Sequence, residues 1–236
     1  MTERDITDDP RVISYYMLRN AIGIIGILLP FVLVFGNMLF QGFVVQDSIS
    51  SYYYTPMRDV LVGSLCAIGV FLFSYKGYDD PNPAWRRLPF KGTDDLASTI
   101  AGICAIGVAL FPTQRGSTTL NDFVGSEQYA GLHVLFAAVF FLSLAFISFW
   151  LFPKHGSEKD DPIRKHEPLV YRLCGVAIVI CIALIVGVWA LPEGSFIKQL
   201  YPVLLLESGA ILAFSISWFT KGKGYDWCKW QQLVHS

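Results

Sequence analysis

Along the chain, long uninterrupted apolar runs alternate with short polar segments. A helix crossing a roughly 30 Å hydrocarbon core needs about 20 predominantly apolar residues at about 1.5 Å of rise each. Six runs meet or approach that length: Ala21–Phe40, Met57–Tyr75, Leu96–Pro112, Tyr129–Leu151, Leu173–Leu191 and Leu200–Thr220. The third is the shortest, which predicts that it is enclosed by neighbours. The pattern predicts an all-α integral membrane protein, a bundle of six transmembrane helices forming a single domain over residues 1–236. No polar stretch is long enough for a separate water-soluble domain.

Composition points the same way. Only 16% of residues are charged and 53% are hydrophobic, with a mean hydropathy of +0.47, where a soluble domain carries about 25% charged residues. The net charge of −1 provides no cationic footprint for nucleic acid, which needs clustered Lys and Arg. Cytoplasmic segments retain Lys and Arg while translocated loops do not. Of the 18 such residues, all but Arg58, Arg115 and Lys198 fall in the N-terminal segment, the second and fourth connections and the C-terminal tail. With an even number of spans, both termini are expected in the cytoplasm.

Trp85, Trp150, Trp218 and the run Tyr52, Tyr53 and Tyr54 fall at span ends, where amphipathic rings suit the headgroup layer. The first ten residues are acidic and polar, without the basic region or cleavage site of a signal peptide, so the first span is expected to stay. Cys66, Cys104, Cys174 and Cys181 lie in spans and Cys228 in the tail, which implies no disulfide framework. Cys228 is juxtamembrane and so placed for acylation, but an unmodified thiol is the plainer and preferred reading. The octets Cys66–Phe73 and Cys104–Phe111 differ at one position. Shared packing needs account for this echo without a duplication.

A charge in hydrocarbon costs roughly 2.5–3.5 kcal/mol at a helix centre on insertion scales, so Glu207, inside the sixth run, calls for a reason. Entering from the outer side, it lies about 10 Å deep. His133 lies one turn inside the fourth run, and Asp59 at the start of the second. Runs two, four and six all begin on the same side, so the three ionisable groups share one leaflet. Each also has a plainer reading. Asp59 suits a helix N-terminus, with Arg58 as its partner. His133 suits a bond to a neighbouring carbonyl, and Glu207 an interhelical lock. Asp94 and Asp95 after Thr93 read as N-terminal capping of the third helix. Gly102, Cys104, Ala105, Gly107 and Ala109 give that helix a small-residue side for close packing within or between bundles.

The chain has no HExxH, GxSxG, Walker or CxxC motif. Zinc on Asp59, His133 and Glu207 would leave an open position, but one histidine is a thin ligand set, and neither metal nor cofactor is expected. The segment Asp47–Gly63, with Ile49 and Ser50 ahead of the second span, resembles the signature of the DUF998 family of bacterial membrane proteins. That family is similar to the wider Frag1/DRAM/Sfk1 group. Val108–Thr113 ending the third span, His133, Glu207 and Ser217–Gly222 agree with it. The resemblance implies a bacterial inner-membrane location and a lipid-facing role, since some members of the wider group act in lipid-anchor remodelling or lipid homeostasis. It brings no catalytic residues. The alkaline ceramidase superfamily is also polytopic, but it needs several intramembrane histidines where this chain has only His133.

These readings lead to an expected function. The protein binds a lipid or amphiphile in an outward-facing polar pocket lined by Asp59, His133 and Glu207. Its rim is Ser48–Tyr54, with Ser51 and Tyr54 in contact with the ligand and Arg58 on an anionic headgroup. The alternatives are an intramembrane lipid hydrolase and a proton or ion translocator working through Glu207. Against transport, there is no second buried acid midway and no broken helix pair.

Overall fold

A computed structural model describes residues 10–75, 92–113, 128–154, 166–192 and 194–222. The described residues form six long helices and no β strand: α1 (Pro10–Gln41), α2 (Arg58–Ser74), α3 (Thr93–Leu110), α4 (Gln128–Phe146), α5 (Glu167–Trp189) and α6 (Pro202–Lys221). Helix α4 runs on through a π-helical segment, Ile147–Leu151, into a last turn, Phe152–Lys154. Five helices are long and apolar enough to cross a membrane: α1 from Met17, α3, α4 with its extension, α5 and α6. Helix α2 has 17 residues and is the shortest of the six, where the sequence pattern pointed to the third.

Helix ends follow the punctuation of the chain. A proline is pre-organised for a first helical turn and forfeits no bond there, and Pro168 and Pro202 open α5 and α6. The residue before Pro202, Tyr201, sits in the left-handed region at φ 52° and ψ 47°, which turns the chain from the 3-10 helix Phe196–Leu200 into α6. Helix α1 reaches back to Pro10, eleven residues before the apolar run, and carries Pro30 within it.

Each helix packs on its neighbour in sequence, and α6 closes the ring against α1. At one end, called here the lid end, the finish of α3 and the starts of α4 and α6 meet the α1–α2 connection. The opposite end gathers the start of α1, the end of α2, the start of α3, the α4 extension, the start of α5 and the end of α6. There Arg19 and Lys221 are both buried. Arg19 Nη2 donates to the Tyr75 hydroxyl at 3.2 Å and Nη1 to the Lys221 carbonyl at 3.4 Å. Lys221 Nζ donates to the Phe152 carbonyl at 3.1 Å and lies over the Phe152 and Tyr171 rings. Such cation-ring contacts strengthen when desolvated. Trp218 fills the centre, edge-on to Tyr75 and Phe152 at 4.9 and 5.3 Å.

Two belt residues are therefore core residues. Trp218 and Tyr52 are fully buried, because the ring of helices places their faces inward, whereas Trp150 and Tyr54 are exposed at opposite ends. Trp85 and Cys228 lie outside the described residues, and the other four cysteines are free thiols. Asp94 and Asp95 occupy the first turn of α3, both buried, with Gly92 rather than Thr93 at the N-cap position.

The echoed octets use their glycines for contact. A Cβ on Gly102 would lie 2.6 Å from the Gly69 carbonyl oxygen, and one on Gly69 would lie 2.9 Å from the Gly102 carbonyl oxygen. Helices α2 and α3 thus touch backbone to backbone. In the second octet Gly107 accepts the ring of Phe136 from α4. This is the close approach that small residues permit between membrane helices.

Candidate functional site

Helix α1 stops at Gln41, where Gly42 takes a positive φ of 74°, and Asn37 Nδ2 donates to the Val44 carbonyl at 2.7 Å to hold the chain as it turns back. The returning segment enters the bundle mouth as a short 3-10 helix, Ser50–Tyr54. Its own hydroxyls order it. Ser48 Oγ accepts the Ser51 amide at 3.0 Å, and Thr55 Oγ1 donates to the Tyr52 carbonyl at 2.8 Å while accepting the Met57 amide at 3.1 Å. Tyr52 plunges inward and Ile49 is buried, so the segment forms a lid anchored by its apolar side chains.

Three elements bond the lid. From α6, Glu207 Oε2 accepts the Ile49 amide at 2.6 Å, and the Leu204 amide donates to the Asp47 carbonyl at 3.0 Å. From α4, His133 bridges two groups: Nδ1 lies 2.6 Å from the Phe111 carbonyl and Nε2 lies 3.0 Å from Ser50 Oγ. A carbonyl only accepts, so Nδ1 carries the proton, and Nε2 of the neutral ring accepts from the Ser50 hydroxyl. Phe111 is the C-cap of α3, whose last carbonyls have no partner within the helix. His133 therefore ties an exposed helix end to the lid. From the end of α3, the Thr113 carbonyl accepts the Tyr54 hydroxyl at 2.5 Å.

Beneath the lid lies a narrow cavity of about 40 Å³. At roughly 10–15 Å³ for one water, it has room for about three or four. Its roof is Ile49 and Ser50, and its wall is almost wholly aliphatic and aromatic, with Leu65, Phe140, Leu144 and Phe214 among the lining residues and Glu207 the one charged residue there. A drug-sized ligand occupies roughly 300–1,000 Å³, so the lid and wall must move before anything larger than a few methylenes enters.

Glu207 and His133 thus converge on adjacent lid residues, Ile49 and Ser50. Asp59 does not join them. It is exposed in the first turn of α2, where the exposed amides and the helix dipole favour a carboxylate. Arg58 is exposed too, and it does not pair with Asp59: its Nη2 donates to the Tyr53 hydroxyl at 2.8 Å, with the guanidinium 4.4 Å from that ring's centroid. Ser51 and Tyr54 sit on the lid, Ser51 held by Ser48 and Tyr54 by Thr113. Among the described residues no group of three His, Cys, Asp or Glu side chains is placed to hold a metal ion. Three participants were not singled out from the sequence: the Ile49 amide, the Ser50 hydroxyl and the Phe111 carbonyl. Two are backbone groups, which no residue pattern advertises. Ser50 does lie within the motif segment.

No protein-family model matches the chain, and no curated protein or solved structure shows significant similarity to it.

Proposed function

We propose that this is a six-span bacterial inner-membrane protein with both termini cytoplasmic, which binds one chain of a lipid or other amphiphile beneath its lid. The observation that carries this reading is the apolar cavity roofed by Ile49 and Ser50, with Glu207 and His133 reaching the roof from two different helices. A wall of leucine and phenylalanine favours methylene groups over water at about 25 cal/mol per Å² of apolar surface removed from water. A rim of Ser48, Ser51, Tyr54 and Arg58 suits a headgroup. In this reading Arg58 turns from Tyr53 to an anionic headgroup when one arrives, and the Lys and Arg asymmetry of the sequence puts the lid on the outer face.

Native mass spectrometry of protein released gently from its own membranes tests it. Wild type is expected to carry a lipid-sized mass, and Leu144→Trp, which fills the cavity, is expected to lose it while retaining a cooperative thermal transition. Empty wild type from several mild detergents, or undiminished lipid in Leu144→Trp, would overturn the assignment.

A further inference from the structure

Resting on that reading, we propose that Ser50 and His133 are a nucleophile and its general base, and that the site cleaves acyl esters of amphiphiles by passing the acyl group through Ser50. The geometry has the three parts such a device requires. Ser50 Oγ and His133 Nε2 are 3.0 Å apart, within reach for proton transfer, and the Phe111 carbonyl holds the far nitrogen at 2.6 Å. That carbonyl fixes the tautomer in which Nε2 is free to take the Ser50 proton, the orienting part of the role a carboxylate plays in the familiar triads, without the negative charge. Ser50 also lines the cavity. A chain lying in that cavity places its carbonyl at the lid, which the proposed six-span arrangement sets near the headgroup layer, where lipid esters lie.

The chemistry balances with water as the only co-reactant. Ser50 Oγ attacks the ester carbonyl carbon as its proton passes to His133 Nε2. The bond from that carbon to the alcohol oxygen breaks, and the alcohol leaves with the proton from Nε2. Water then attacks the acyl-Ser50 ester, giving one proton to Nε2. The carboxylic acid departs and the proton returns to Ser50 Oγ. The amides of Ile49 and Ser51 flank the nucleophile, and Ile49 donates to Glu207 while Ser51 donates to Ser48. A substrate carbonyl therefore competes with Glu207 for the Ile49 amide, so binding and loosening of the lid are one event.

The test treats the full-length protein in detergent with a decyl-chain fluorophosphonate, and with an ethyl-chain analogue, followed by peptide mapping. The expected result is one adduct, on Ser50, formed at least tenfold faster with the decyl probe. Labelling is expected to slow roughly a hundredfold in His133→Gln, which keeps an N–H for Phe111, and the adduct is expected to be absent in Ser50→Ala. Mapping on wild type does not depend on any variant folding. Wild type that retains lipid yet shows no Ser50 adduct overturns the nucleophile while leaving amphiphile binding in place. Absence of both lipid and adduct removes both readings. Equal labelling in His133→Gln removes the base.

Discussion

A carboxylate held away from water is tolerated only when donors replace the lost hydration, and Glu207 meets that condition through the backbone rather than through a cation. Its bond to the Ile49 amide joins α6 to a lid more than 150 residues away in sequence. A hydrogen bond to a charged group is worth roughly 1.5–3 kcal/mol, and a buried N–H left without an acceptor costs a similar amount. Glu207→Ala is therefore expected to destabilise the protein by about 2–3 kcal/mol, and Glu207→Gln, whose carbonyl still accepts, by distinctly less. Thermal unfolding in detergent reads the order, and equal losses would mean that charge, not the Ile49 bond, is what matters. The same residue shows how far sequence reading reaches. An acid in an apolar run announces that a partner exists, but the partner here is an amide that every residue type except proline possesses.

At the scale of elements, small residues decide which helices approach most closely. The small-sided third helix was legible from Gly102, Gly107 and their alanine neighbours. Its counterpart Gly69 was legible only as half of an echo whose meaning the packing supplies. Gly102→Leu would force the α2 and α3 backbones apart at the Gly69 carbonyl, and overpacking of this kind costs about 1–3 kcal/mol. Gly63→Ala on α2, where an added Cβ meets nothing within 4 Å, is expected to leave the transition temperature unchanged or slightly raised, since alanine favours a helix over glycine. A comparable drop in both variants would mean that the Gly69 contact is not what limits the substitution, since alanine and leucine both favour a helix over glycine. The lid is the element that pattern reading could only call a loop. Its 3-10 geometry comes from hydroxyls at Ser48 and Thr55 that compete for backbone groups, as short polar side chains do at turns.

For the whole molecule, the helices pack in cyclic order, and the alternation of charge across the connections predicts which way that ring faces in a membrane. In a background lacking the native cysteines, Ser195→Cys is expected to react with an impermeant maleimide added to intact spheroplasts. Lys154→Cys is expected to react only after permeabilisation. Reversed labelling would invert the orientation, and labelling of both from outside would break the six-span count. The far end of the bundle shows why charge position and charge burial differ. Arg19 and Lys221 count among the cytoplasmic charges in the sequence pattern, yet both fold inward, where a tyrosine hydroxyl, carbonyls and aromatic rings from neighbouring helices meet them.

The sequence by itself determined what depends on transfer from water to hydrocarbon: the helical class, the five helices long and apolar enough to cross a membrane, and the presence of two ionisable groups, Glu207 and His133, that had to be accommodated. Those are properties of residue type and order, because each apolar run of sufficient length must bond its own backbone to lie in lipid. Only the tertiary structure decided which groups meet. It separated Asp59 from Glu207 and His133, buried Tyr52 and Trp218, and brought Ser50 to His133 and Ile49 to Glu207. The physical reason is that these pairings depend on the rotation of each helix about its axis and on backbone donors and acceptors, and neither leaves a trace in the pattern of side chains.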